Sequence, residues 1–186
     1  MKKIVFFFFL AFLLAACSYT PSRRIVFPAE YTTGWQEIYG HCYDSVPYAV
    51  VALDLYSDGL ELDKDHRMQG TGHNLYLSDI FVPDSLLTPG TYTSLAVHDG
   101  VVDAPRAFTF LPGRDWEGTP SGMYLLYVEE GKLQSIQLLD SGRMVVRDTL
   151  NDLTDIRLTL YYKNAYGYKA TYESHFQGSL SPWQKQ

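Results

Sequence analysis

The stretch Tyr168-Lys169-Ala170-Thr171-Tyr172-Glu173-Ser174-His175-Phe176-Gln177 decides the fold. Tyr168, Ala170, Tyr172 and Phe176, continued by Leu180, alternate with Lys169, Thr171, Glu173, His175 and Gln177. A period of two puts the apolar side chains on one face of an extended chain and the polar ones on the other. Working backward, residues 123–128, 133–139, 144–148 and 156–162 read as extended segments too. They are separated by Glu130-Gly131, Asp140-Ser141-Gly142, Asn151-Asp152 and Lys163-Asn164-Ala165-Tyr166-Gly167. Polar and glycine-bearing stretches of this length fold one strand back onto the next.

The preceding part of the chain follows the same logic. Residues 35–43 alternate as a first strand, and residues 48–56 are apolar on both sides, with Ala49, Val51, Leu53 and Leu55 opposite Tyr48, Val50 and Ala52. That pattern marks a central strand covered on both faces. Residues 60–72 are polar and read as a loop; residues 73–82 read as a strand with Leu75, Leu77 and Phe81 on one side and Tyr76, Ile80 and Val82 on the other. Strands over 91–97 and 106–111 follow, with a turn at His98-Asp99-Gly100 and an exposed loop over 114–122. No window holds an amphipathic helix. Short strands joined by turns, without crossover helices, predict an all-β fold. The expected architecture is an antiparallel β-sandwich built from meanders and hairpins, its two sheets about 10 Å apart. A lipocalin-like β-barrel with a ligand cavity is the alternative.

The first seventeen residues carry an address. Lys2 and Lys3 precede an unbroken apolar run over 4–16, closed by Leu14-Ala15-Ala16-Cys17. The run is shorter than the roughly 20 residues a membrane-spanning helix needs, so residues 1–16 read as a signal peptide. Leu14-Ala15-Ala16-Cys17 resembles a bacterial lipobox. The resemblance implies cleavage before Cys17, a diacylglyceryl thioether on its sulfur and an N-acyl chain such as palmitate on its amine. Two or more acyl chains, at about 0.8 kcal/mol per buried methylene, anchor a protein stably in a bilayer. The expected organisation is a tether over 17–34, one all-β domain over 35–182 and a tail over 183–186. Ser18 directly after the cysteine, with no acidic residues following, resembles the signal of lipoproteins on the periplasmic face of the outer membrane.

Charge and cysteine content narrow the function classes. Loss of Lys2 and Lys3 takes the formal net charge from −6 to −8. Nucleic-acid binding requires clustered Lys and Arg, and Arg23-Arg24 is the sole adjacent basic pair in the mature chain, so no nucleic-acid partner is expected. Once Cys17 is lipidated, Cys42 has no partner for an intramolecular disulfide, and the core must supply the stability.

No catalytic, cofactor-binding or metal-ligating set is expected. Gly118-Thr119-Pro120-Ser121-Gly122 has a proline before its serine and reads as a turn rather than a nucleophile elbow. His41, His66, His73, His98 and His175 lack metal spacing. Asp54, Asp58, Glu61, Asp63 and Asp65 are dense enough to raise calcium binding, but their spacing departs from the calcium-loop pattern. Trp116, in a polar loop, is the candidate contact: an indole there stacks on a sugar ring or anchors a protein partner, unless it folds back as a lid.

Gly70-Thr71-Gly72-His73-Asn74-Leu75-Tyr76-Leu77, Leu87-Thr88-Pro89-Gly90-Thr91-Tyr92-Thr93 and the segment from Thr171-Tyr172 to Gly178-Ser179-Leu180 together resemble small lipoproteins of Bacteroidetes-type bacteria. The resemblance implies a β-sandwich without an established activity. The expected function is a non-enzymatic envelope module, held to the bilayer through Cys17 and binding a glycan or an envelope protein. A fimbrial subunit and a hydrolase are the alternatives. Replacing the lipid-bearing sulfur tests the address: Cys17→Ser should leave the chain unlipidated by mass spectrometry and shift it out of the detergent-extracted membrane fraction.

Overall fold

The computed structural model describes residues 23–148, 153–164 and 166–183. The signal peptide, Cys17, the Asn151-Asp152 turn and residues 184–186 lie outside the described residues. Seventeen strands and no helix are found among the described residues. In chain order they are β1 (Arg23–Gly40), β2 (Ala49–Ser57), β3 (Leu60–Leu62), β4 (Met68–Gly70), β5 (Gly72–Val82), β6 (Gly90–Ser94), β7 (Val97–His98), β8 (Val101–Val102) and β9 (Thr109–Phe110). They continue with β10 (Arg114–Trp116), β11 (Thr119–Ser121), β12 (Met123–Glu129), β13 (Lys132–Leu138), β14 (Ser141–Asp148), β15 (Thr154–Lys163), β16 (Lys169–Gly178) and β17 (Leu180–Trp183).

The all-β expectation holds, and the sheet closes on itself. Strands follow the order β5-β2-β1-β16-β15-β14-β6-β9, and β9 pairs back to β5, which makes an eight-stranded barrel. It is a barrel, the alternative architecture, rather than two stacked sheets. The ring is mixed: β1 runs parallel to β16, and β6 parallel to β9, while the remaining pairings of the ring are antiparallel. Hairpin β12–β13 extends the sheet beyond β5, and β17 lies parallel to β1. Backbone pairing of Arg23–Val26 with Ala170–Glu173 draws residues 23–34 into β1, so the extended tether does not reach residue 34. At the other end, Trp183 belongs to β17 rather than to a tail.

The barrel interior is filled. Ala49, Val51, Leu53 and Leu55 of β2 point inward, as their alternation predicts, against Leu158 and Leu160 of β15 and Tyr172 and Phe176 of β16. With its interior occupied by side chains, an eight-stranded barrel leaves its sites to the ends and the outer face. β5 departs from the expected alternation. Ser78 and Asp79 form a bulge opposite the Val51–Leu53 step, with Asp79 at φ 51°, so Leu75, Leu77, Ile80 and Val82 all face the core and Phe81 turns outward. An extra residue in one strand reverses the parity of everything after it.

Leu87-Thr88-Pro89-Gly90-Thr91-Tyr92 is a tyrosine corner feeding β6. The fully buried Tyr92 hydroxyl donates to the Thr88 carbonyl at 2.9 Å and accepts from the Thr88 N–H at 3.2 Å. Its ring meets Phe108 edge-on at 5.2 Å. Tyr92→Phe keeps the ring but strands both Thr88 backbone groups, and should lower the unfolding free energy by about 1–3 kcal/mol in denaturant titrations.

Candidate functional site

Two hairpins wall a groove at one end of the barrel. In β10–β11 the turn residues Glu117 and Gly118 have φ of 52° and 83°; in β7–β8 Asp99 and Gly100 have φ of 52° and 80°. Two consecutive left-handed residues make the tight hairpin turn whose twist matches its strands. The Gly118 N–H also donates to the Asp115 carboxylate at 2.7 Å, fixing the β10–β11 turn. The expected exposed loop over 114–122 is therefore a two-stranded hairpin, and Pro120 fits its short edge strand because it needs no amide donor. The groove between the hairpins has a volume of about 790 Å³. Its floor includes Leu95, Pro112 and Ser141, and its charged groups are Arg114, Asp115 and Asp140.

Trp116 stands on this groove with 64% of its surface exposed. It is not tucked down as a lid. Asp140, which its sequence context marks only as a turn residue, accepts from the Lys163 backbone N–H. Burial is the main cause that raises the Asp140 carboxyl above its ordinary pKa, with the Lys163 N–H acting in the opposite sense. Arg114 and Asp140 lie 26 residues apart in sequence, and only the fold brings both to one groove.

A second polar cluster lies on the outer face of the barrel. Register places Trp35, Asp54, Tyr76 and Tyr124 in one row across β1, β2, β5 and β12. The Asp54 carboxylate accepts from the Tyr56 hydroxyl at 2.5 Å and from the Asn74 side-chain amide, which also donates to the Leu55 carbonyl at 3.1 Å. Beside it, Tyr39 donates to Glu37 and lies 3.3 Å from the Tyr76 hydroxyl. Burial raises the Asp54 pKa from the ordinary 3.8 to about 6, the hydrogen bonds from Tyr56 and Asn74 oppose it, and the Glu37 charge adds to it. The tyrosines respond the same way: burial first, then neighbouring negative charge, pushes Tyr124 up to about 12.

The acidic segment after β2 has a structural use. Asp63 accepts the N–H groups of Asp65 at 2.8 Å and Arg67 at 2.9 Å, together with the Gln69 amide at 3.3 Å. These bonds close the β3–β4 hairpin and hold the exposed Asp63 carboxyl below its usual pKa, the Arg67 N–H foremost. Among the described residues, no three His, Cys, Asp or Glu side chains gather as a metal-holding group.

The family model for prokaryotic membrane lipoprotein lipid attachment sites matches residues 1–18. The chain is thus a bacterial membrane lipoprotein, modified by covalent lipid at Cys17 and anchored through it. No curated protein and no solved structure matches it.

Asp54 makes stability depend on pH. A carboxyl whose pKa is raised by folding binds its proton more tightly in the native state, so its stabilising effect is present below pH 3.8 and is lost as pH rises through about 6. Against Asp54→Asn, the wild type should gain unfolding free energy as pH falls from 7 to 4, with a slope of at most about 1.4 kcal/mol per pH unit. Parallel chemical-denaturation series across that range measure it, and identical slopes would remove Asp54 as the source.

Proposed function

We propose that this lipoprotein is a membrane-tethered, non-enzymatic binding module that takes a glycan in the groove beneath Trp116. The observation carrying this reading is the exposed indole on a groove that also offers Arg114, Asp115 and Asp140. Sugar rings present C–H faces that pack on an indole and hydroxyls that donate to carboxylates and accept from guanidinium, and this groove supplies all three partners. Ligand pockets combine apolar lining with a few placed polar groups, and here Leu95, Val97 and Val102 provide the apolar lining. Ser18 following the lipidated Cys17 favours the periplasmic face of the outer membrane as the working place.

A glycan array probed with the mature lipoprotein in a non-glycosidic detergent tests the reading. Trp116→Ala should weaken binding by about tenfold to a hundredfold, the cost of losing a stacked aromatic of roughly 1–3 kcal/mol, and leave the melting temperature within a few degrees. Undiminished binding by Trp116→Ala, or no glycan binding by the wild type, defeats the assignment.

A further inference from the structure

A smaller pocket of about 200 Å³ opens above Asp54, lined by Trp35, Asp54, Tyr56, Leu62, His66 and Met68. It shares no residue with the Trp116 groove. The β3–β4 hairpin forms one side, contributing Leu62 and Met68 with His66 from its connecting turn, where His66 sits at φ 58° and donates its N–H to the Asp63 carbonyl at 3.0 Å. The outer sheet face forms the other, with Trp35 from β1 and Asp54 and Tyr56 from β2.

Three features of this pocket select one ligand chemistry. The first is charge. Asp54 accepts from the neutral Tyr56 hydroxyl and Asn74 amide and feels the like-signed charge of Glu37, and among the described residues the pocket lining holds no Lys or Arg, the His66 imidazole being its titratable nitrogen group. A partly buried carboxylate so placed favours a positive guest. The second is the wall. Trp35, Tyr56, Leu62 and Met68 offer aromatic, aliphatic and thioether surface, which solvates a bare metal ion poorly but suits a cation wrapped in carbon. The third is size. At about 30 Å³ per water, the space equals roughly six or seven waters, more than a single ion needs and enough for a substituted ammonium group.

We propose that the pocket formed by Trp35, Asp54, Tyr56, Leu62, His66 and Met68 binds a small organic cation of the substituted-ammonium class. The carboxylate pairs with the charge, and the aromatic side chains take the alkyl groups that surround it.

Isothermal titration of the mature lipoprotein in non-ionic detergent with choline chloride tests this directly. The uncharged isostere 3,3-dimethylbutan-1-ol and sodium chloride serve as controls. Choline should bind saturably, and the alcohol about tenfold or more weaker. Asp54→Asn and Trp35→Leu should each weaken choline by about tenfold or more, with far-UV circular dichroism unchanged from wild type. Absence of saturable choline binding, equal binding of the alcohol, or full binding by folded Asp54→Asn overturns the proposal. Where Asp54→Asn fails to fold, Trp35→Leu and the alcohol carry the test. Because the glycan groove is not involved, failure here leaves that reading intact, and failure of the glycan array leaves this one intact.

Discussion

Closure of the barrel rests on two residues. Thr109 and Phe110 pair antiparallel with Phe81 and Ile80 of β5 and parallel with Thr93 and Ser94 of β6, and without this pairing β6 and the end of β5 that lies beyond its pairing with β12 would both present open edges. Unpaired edges invite association with other chains, and closure removes them. The joint is reinforced on either side: the Phe108 N–H donates to the Phe81 carbonyl at 2.9 Å, and the Leu95 N–H to the Phe110 carbonyl at 2.9 Å. Phe110 is fully buried in the core, and the Thr109 hydroxyl donates to the Arg106 carbonyl at 2.6 Å, closing the turn that delivers it. Phe108 itself holds φ 63°, a conformation that a bulky residue adopts at a cost. The pairing on both sides of it offsets that cost.

The groove follows from this joint. Immediately after Phe110 the chain runs through Pro112 and Gly113 into β10, while immediately after Ser94 it runs into the β7–β8 hairpin. Because β6 and β9 are parallel neighbours, both chains leave the barrel at the same end, and the two hairpins they form stand side by side. The bulge at Ser78–Asp79 belongs to the same arrangement. It turns Phe81 outward, where it packs with Val50, Leu95 and Leu111 in a small second core that shares Leu95 with the groove floor. A strand of unbroken parity would have pointed Phe81 inward and left that floor without support.

Much of the fold was legible in the sequence. The inward set of β2 and the strands around residues 123–178 follow from period two and from glycine-bearing turns, which are local signals. The misses share a cause, long-range pairing. Thr109–Phe110 is too short for any periodic window, and the parallel pairing of β1 with β16 joins residues more than 140 positions apart. Residues 23–34 resemble a tether because Pro28 and small polar residues break their alternation, and the register with β16 does shift between Val26 and Glu30. Of the sites, Trp116 was readable as an indole in polar company. Trp35 and Asp54 were not, because adjacent rows of two strands become one pocket only through the register Trp35 to Asp54.

The lipid and the barrel are closely spaced. Arg24 is seven residues after Cys17, and seven residues of fully extended chain span at most about 25 Å. From Arg24 the register steps to Thr171, Tyr161 and Ser141 across β16, β15 and β14, three inter-strand spacings or about 14 Å. Ser141 lines the Trp116 groove, so its backbone stays within about 40 Å of the lipidated cysteine. Trp35, by contrast, lies eleven residues further along β1, beyond the bulge, and the Asp54 pocket sits with it. The groove is therefore confined to a layer next to the bilayer. Confinement raises the effective concentration of whatever is held in that layer, so on the proposed glycan reading an open groove of modest intrinsic affinity would suffice there where a freely diffusing protein would need a deeper one.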